Sequence, residues 1–217
     1  MPALIDIRRR IRSVRSTQQI TKAMKMVSAA KLRRAQEAMF AARPYARKMM
    51  EVLNGVASRA TPDAHPLLQE RGHDKVLLVV ITADKGLCGA FNANIIRTAT
   101  RFLADRREGD VALALVGRKG RDFFRRRTVK VRSERVGVFQ SLRYQHAREL
   151  AQELMQAFTS GEADQVFLVY NEFKSVIQQR LVIDRLLPIE RHALRPQEPG
   201  LDYLYEPEPS RIFATIL

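Results

Sequence analysis

The sequence predicts an α/β protein made of a long N-terminal helix of coiled-coil type and a separate three-layer domain with a mostly parallel sheet. Three observations carry this. Arg15 to Met39, "RSTQQITKAMKMVSAAKLRRAQEAM", is basic and free of Pro and Gly. Three apolar runs, "VLLVVI", "VALALV" and "QVFLVY", then appear downstream, separated by amphipathic stretches. Continuous apolar strands belong to sheets covered on both faces, and their alternation with helices makes the sheet parallel. Between the two regions, Ala57 to His73 breaks the helical period.

Residues 4–58 read as one helix or two nearly continuous ones. Leu4, Ile7, Ile11 and Val14 follow 3-4-3 spacing, and Ile20, Met24, Val27 and Lys31 follow a 4-3-4 track. Such spacing sets an apolar stripe along one side of a helix. The seam weakens at Ser16 to Gln19, after which Ser28, Ala29, Ala30, Ala35 and Ala38 permit close helix contact. Pro44 marks a kink or a new start. A helix of this length spans roughly 80 Å, more than the diameter of a domain this size, so part of it requires a partner.

The second region opens with a strand in Lys75 to Gly86. A helix follows over 92–104, with Asn92 as its expected cap. Asp110 to Gly117 is a second strand, 119–126 a short basic helix, and Val129 to Val131 the centre of another strand. Leu142 to Thr159 is an amphipathic helix through Leu150, Leu154 and Phe158. Ala163 to Phe173 is a strong strand, and Ile177 to Ile189 an added edge strand. The expected fold is therefore Rossmann-like. The domain division is 1–58 helix, 59–74 linker, 75–195 α/β domain and 196–217 connector.

Composition narrows the function. One cysteine, Cys88, excludes an internal disulfide and fits a reducing compartment. No apolar run reaches the roughly 18 residues of a membrane span, so no direct membrane insertion is expected. Net charge is +15, and residues 1–60 carry 14 Lys or Arg against 3 Asp or Glu, a surplus of +11. Such a field attracts an acidic protein, a nucleic acid or an anionic surface.

Candidate chemistry is sparse. Thr82 to Asn92, "TADKGLCGAFN", lies between a strand and a helix, where an α/β protein holds phosphates. Its glycines, Gly86 and Gly89, form no nucleotide fingerprint. A turn packing helix on sheet accounts for them, as it does for Gly117 and Gly120. Asp84 has no paired acid and reads as a cap or local ion pair. Cys88 has no adjacent base, and His65, His73, His146 and His192 share no metal-ligand spacing. No cofactor or metal is expected. Met24, Met26 and the alanines suit a sliding contact surface as well as a core, and Lys22, Lys25, Lys31, Arg33 and Arg34 ring the same helix.

Two stretches add a resemblance. Ile7 to Gln36, "IRRRIRSVRSTQQITKAMKMVSAAKLRRAQ", resembles the N-terminal helix of the gamma subunit of F-type ATP synthases. "DKGLCGAFN" resembles that family's signature turn, at Asp84, Lys85, Gly86, Leu87, Cys88 and Gly89. "RPYA" at Arg43 and "YLYEP" at Tyr203 match in order. The resemblance implies a non-catalytic central-stalk rotor that couples proton flow through the membrane c ring to ATP synthesis in the alpha3-beta3 head. It implies alpha, beta, epsilon and the c ring as partners, no nucleic acid, and a peripheral position on the cytoplasmic face of a bacterial inner membrane. It implies beta-subunit contacts at Lys22, Met24 and Lys25, and c-ring contacts at Tyr203 and Glu206. The family continues into a long C-terminal helix, so a truncated chain is expected. Two rivals stay open: a basic nucleic-acid-binding protein, and a nucleotide-dependent enzyme using Thr82 to Asn92.

Overall fold

The structure, a computed structural model, describes residues 4–59, 65–106 and 110–190. It divides into two compact units, Met1–Leu53 and Asn54–Leu217. The first is formed by helix α1, Leu4–Arg59, whose last residues, 54–59, fall in the second; the helix runs unbroken through Pro44. The kink or restart expected there is thus no interruption of the helix. Throughout residues 4–55 no side chain of α1 is buried. Leu4, Ile7, Ile11 and Val14 are 47–68% exposed, so the stripe read from the sequence lies open. Thr17 and Thr21 return their hydroxyls to the helix carbonyls of Ser13 and Gln18, which satisfies them without a tertiary contact.

The second unit is a five-stranded sheet in the order β3-β2-β1-β4-β5. The strands are β1 Val76–Ile81, β2 Val111–Val116, β3 Lys130–Arg135, β4 Gln165–Phe173 and β5 Gln179–Leu187. The first four in spatial order are parallel, and β5 is the antiparallel edge. The helices are α2 Phe91–Ala104, α3 Arg118–Phe124 and α4 Tyr144–Thr159.

The apolar runs are continuous because both faces of the sheet are covered. On one face Leu77, Val79, Ala114, Val116 and Val166 meet Leu154, Ala157 and Phe158 of α4. On the other, Val76, Leu78, Val80, Leu113 and Leu115 meet Ile95, Ala99 and Phe102 of α2 and Phe124 of α3. The period of two along β1 sends alternate residues to opposite layers. Val76 to Val80 are each at most 2% exposed, which makes β1 the centre of the domain. The stretch expected as a plain linker also joins the core. A 3-10 turn at Pro66–Leu68 buries Leu67 and Leu68, and the Leu67 carbonyl accepts from the Ile189 N–H at 2.9 Å.

Strand β3 is nearly all polar, and ion pairs tie it to α4. Glu153 accepts from Arg132 at 2.8 Å and meets Arg135 at 2.6 Å, with each side chain about a fifth exposed. Burial pushes the Glu153 carboxyl up, but the neighbouring Ser133 hydroxyl and the Arg135 and Arg132 guanidiniums outweigh it and hold the group below its usual value of 4.5. A carboxylate with a depressed folded value stabilises the fold above its ordinary value, and that stability is lost as pH falls through the folded one. Glu153→Gln is expected to cost about 1–2 kcal/mol at neutral pH. Urea unfolding checks this. The difference from wild type should shrink once pH drops below 4.5.

Candidate functional site

The predicted site residues that the structure describes fall in two places, one in each unit. The first is the α1 surface. Lys22, Met24 and Lys25 are all exposed, Met24 at 48%. Ile20 and Val27, at 57% and 55% exposed, lie on the same side as Met24, because residues three and four apart share a helix face. A patch of adaptable apolar side chains is thereby flanked by two ammonium groups. Along α1 two of the three described acids are engaged locally: Arg33 pairs with Glu37 at 2.8 Å and Lys48 with Glu51 at 2.8 Å. Lys22 and Lys25 form no ion pair with any described residue.

The second place is the turn after β1, which acts as a clamp among elements. Thr82 is 1% exposed. Its hydroxyl donates to the Val116 carbonyl at 3.2 Å and accepts from the Gly120 N–H at 2.8 Å. One Asp84 carboxylate oxygen accepts from the Arg118 N–H and the Gly137 N–H, both at 3.0 Å. It therefore caps α3 from another loop and anchors the connection after β3. Gly117 has φ +98, and a Cβ added there would lie 2.0 Å from the Thr82 carbonyl oxygen. Only glycine allows this approach.

Asn92 differs from its expected role. Helix α2 begins at Phe91 with Ala90 as its cap residue. The Asn92 side chain is turned back into the loop instead, where its oxygen accepts from the Ala83 N–H at 2.8 Å and its amide donates to the Cys88 sulfur at 3.0 Å. The 84–90 loop needs an internal acceptor more than the helix needs a cap. Leu87 holds a left-handed backbone, φ +61, and is 95% exposed. Lys85, Gly86, Cys88 and Gly89 are exposed as well.

The remaining candidates are occupied by local bonding. His65 Nδ1 accepts from the Leu67 N–H, and burial lowers the basicity of the ring. His73 meets the Gln165 amide at 2.8 Å, and His146 accepts from the Arg143 N–H. Among the described residues no cluster of three or more His, Cys, Asp or Glu could hold a metal ion. Nor is any described helix long and apolar enough to cross a membrane. Tyr203, Glu206 and His192 lie outside the described residues. Sequence reasoning missed Thr82 as the hub of the turn. A buried threonine directly after an apolar strand was the available signal.

Residues 3–217 match the family model described as ATP synthase. The ATP synthase gamma chain of Solibacter usitatus is 50% identical over 221 residues, covering 100% of this chain and 76% of that protein. That of Anaeromyxobacter sp. (strain Fw109-5) is 51% identical over 223 residues, with coverages of 100% and 77%. Among solved structures, a chain in the central stalk and c-ring of the Tetrahymena thermophila mitochondrial ATP synthase is 28% identical. It matches with a TM-score of 0.64 over 90% of this chain and 84% of that one. A chain of the Euglena gracilis mitochondrial enzyme, 24% identical with a TM-score of 0.57, shares the fold.

Proposed function

Because the chain belongs to the ATP synthase gamma-chain family, we propose that it is the central-stalk rotor and that the α1 surface around Met24 is where it meets the catalytic head. Proton flow turns the c ring and the stalk together. The asymmetric stalk then drives each beta subunit through its nucleotide states. The chain itself makes and breaks no bond in ATP. Its partners are the alpha and beta subunits, epsilon and the c ring, and its place is peripheral, on the cytoplasmic face of the membrane. Neither the nucleic-acid nor the nucleotide-enzyme reading is favoured by any of the relatives.

The observation that carries the reading of α1 is its exposure: from residue 4 to 55 the helix buries no side chain. Lys22 and Lys25 flank Met24 there, and acidic loops of the beta subunits are the complementary surface. Exposed ion pairs contribute only about 0–1 kcal/mol each. Contacts of that strength are exchanged during rotation, whereas a deep, dry ion pair would stall it. At physiological salt the field reaches about 8 Å, so the belt acts on close approach. Tyr203 and Glu206 are proposed as c-ring contacts by resemblance.

The test is a Lys22→Glu/Lys25→Glu double variant in assembled complexes reconstituted into vesicles. Reversing two such pairs changes the barrier by roughly 1–2 kcal/mol, so ATP synthesis per complex should fall by about five- to thirtyfold. Complex yield should change little, because both residues stand outside the α/β core. A collapse in yield with unchanged coupling per assembled complex would make the belt an assembly surface and sink this reading. The purified chain alone should hydrolyse ATP no faster than buffer.

A further inference from the structure

The outer face of the α/β unit carries an open trough of about 720 Å³ between α2 and α3. Ile96, Thr100 and Ala104 of α2 and Phe123 of α3 floor it, and Arg97, Arg101 and Lys119 stand along its rim. A second trough of about 680 Å³ shares Thr100 and Ala104 and continues toward Val129 and Lys130. The two adjoin at Thr100 and Ala104 and together make a shallow, open apolar channel edged by cations. At its far end Arg127 and Arg106 lay their guanidiniums over the rings of Phe123 and Phe102, at 3.8 and 3.6 Å. Arg97 and Arg101 are exposed and form no ion pair with any described residue.

We propose that this channel receives an acidic amphipathic helix of a partner protein. Charge complementarity selects the occupant: an apolar stripe fits the floor, and flanking carboxylates meet cations contributed by both α2 and α3. The geometry agrees. Asn92 to Ala104 is twelve steps of helix, or roughly 18 Å, enough to seat about three turns of a partner helix in a groove. A second copy of this chain is a poor occupant, because its net charge is +15 and like charges would meet at the rim. The site shares no residue with the α1 surface, so it stands or falls apart from the rotor contact proposed there.

The test uses the 217-residue chain and a fluorescent synthetic peptide of about 14 residues, roughly 20 Å of helix. The peptide carries leucines at helical spacing flanked by glutamates. Three comparison probes are a scrambled peptide of identical composition, a version with lysine in place of glutamate, and vesicles of phosphatidylglycerol. The acidic amphipathic peptide should bind saturably, protect α2 and α3 amides from hydrogen exchange, and weaken as salt rises. Arg97→Glu with Arg101→Glu should lower its affinity at least about tenfold. Ala104→Trp, which fills the junction of the two troughs from an exposed position, should do the same without reversing charge. Equal binding of the scrambled or the lysine peptide would overturn the proposal, since recognition would then need only charge or only apolar contact. Failure of the acidic peptide to bind, or protection of the channel by vesicles alone, would overturn it as well, the latter in favour of a lipid surface. Wild-type thermal midpoints in the variants confirm that lost binding is not lost folding.

Discussion

Gly117→Ala should destabilise the α/β unit by at least about 3 kcal/mol, a large share of the roughly 5–15 kcal/mol that holds a domain together. Two costs combine. The residue sits at φ +98, a backbone conformation that side chains rarely adopt. The added Cβ would also lie 2.0 Å from the Thr82 carbonyl oxygen and 2.8 Å from its hydroxyl oxygen. Neither side can yield cheaply. The Thr82 N–H donates to the Val116 carbonyl at 2.8 Å, and the Gly117 N–H donates to the Arg135 carbonyl at 2.8 Å. A shift of one strand end would therefore break ladder bonds joining β1, β2 and β3. Gly89→Ala is the control. Its φ is also positive, at +56, but nothing lies within 4 Å of the place its new methyl group would take. It should cost only about 1–2 kcal/mol, the ordinary penalty of the left-handed region. Urea unfolding followed by far-UV circular dichroism reads both. A Gly117→Ala variant as stable as Gly89→Ala would refute the role given to the Thr82 contact.

The strands of this fold were legible in the sequence because burial on both faces leaves an unbroken apolar run, as at Val76 to Val80. Helix α1 was legible through its composition, and so was its need of a partner, since a helix of roughly 80 Å exceeds the diameter of a domain this size. The turn after β1 was legible only in part. Gly117 and Gly120 read as turn glycines, but the residue they fit against, Thr82, lies more than 30 positions earlier, and only the parallel pairing of β1 with β2 brings it there. Asn92 illustrates the limit of local rules. It sits one residue inside its helix, where a cap would be read, yet its side chain serves the preceding loop. The cationic channel was hidden for a related reason. Arg97 and Arg101 become a rim only when Lys119 and Phe123 of α3 are set beside them.

Rotation of the chain inside the catalytic head has a built-in reporter. Cys88 is the single cysteine of the sequence and is exposed, so a maleimide-linked gold particle can be attached at one known position on the α/β unit. Heads assembled from alpha, beta and the labelled chain would be fixed to glass through beta, and those holding one labelled chain each would be scored. Three beta sites firing in turn impose a threefold path on a central rotor. On addition of ATP the particle is predicted to rotate in one direction, pausing at each third of a turn, at a rate that follows the ATP concentration. A particle that stays fixed, or only jitters, while the same labelled heads hydrolyse ATP would rule out a rotor role for the chain.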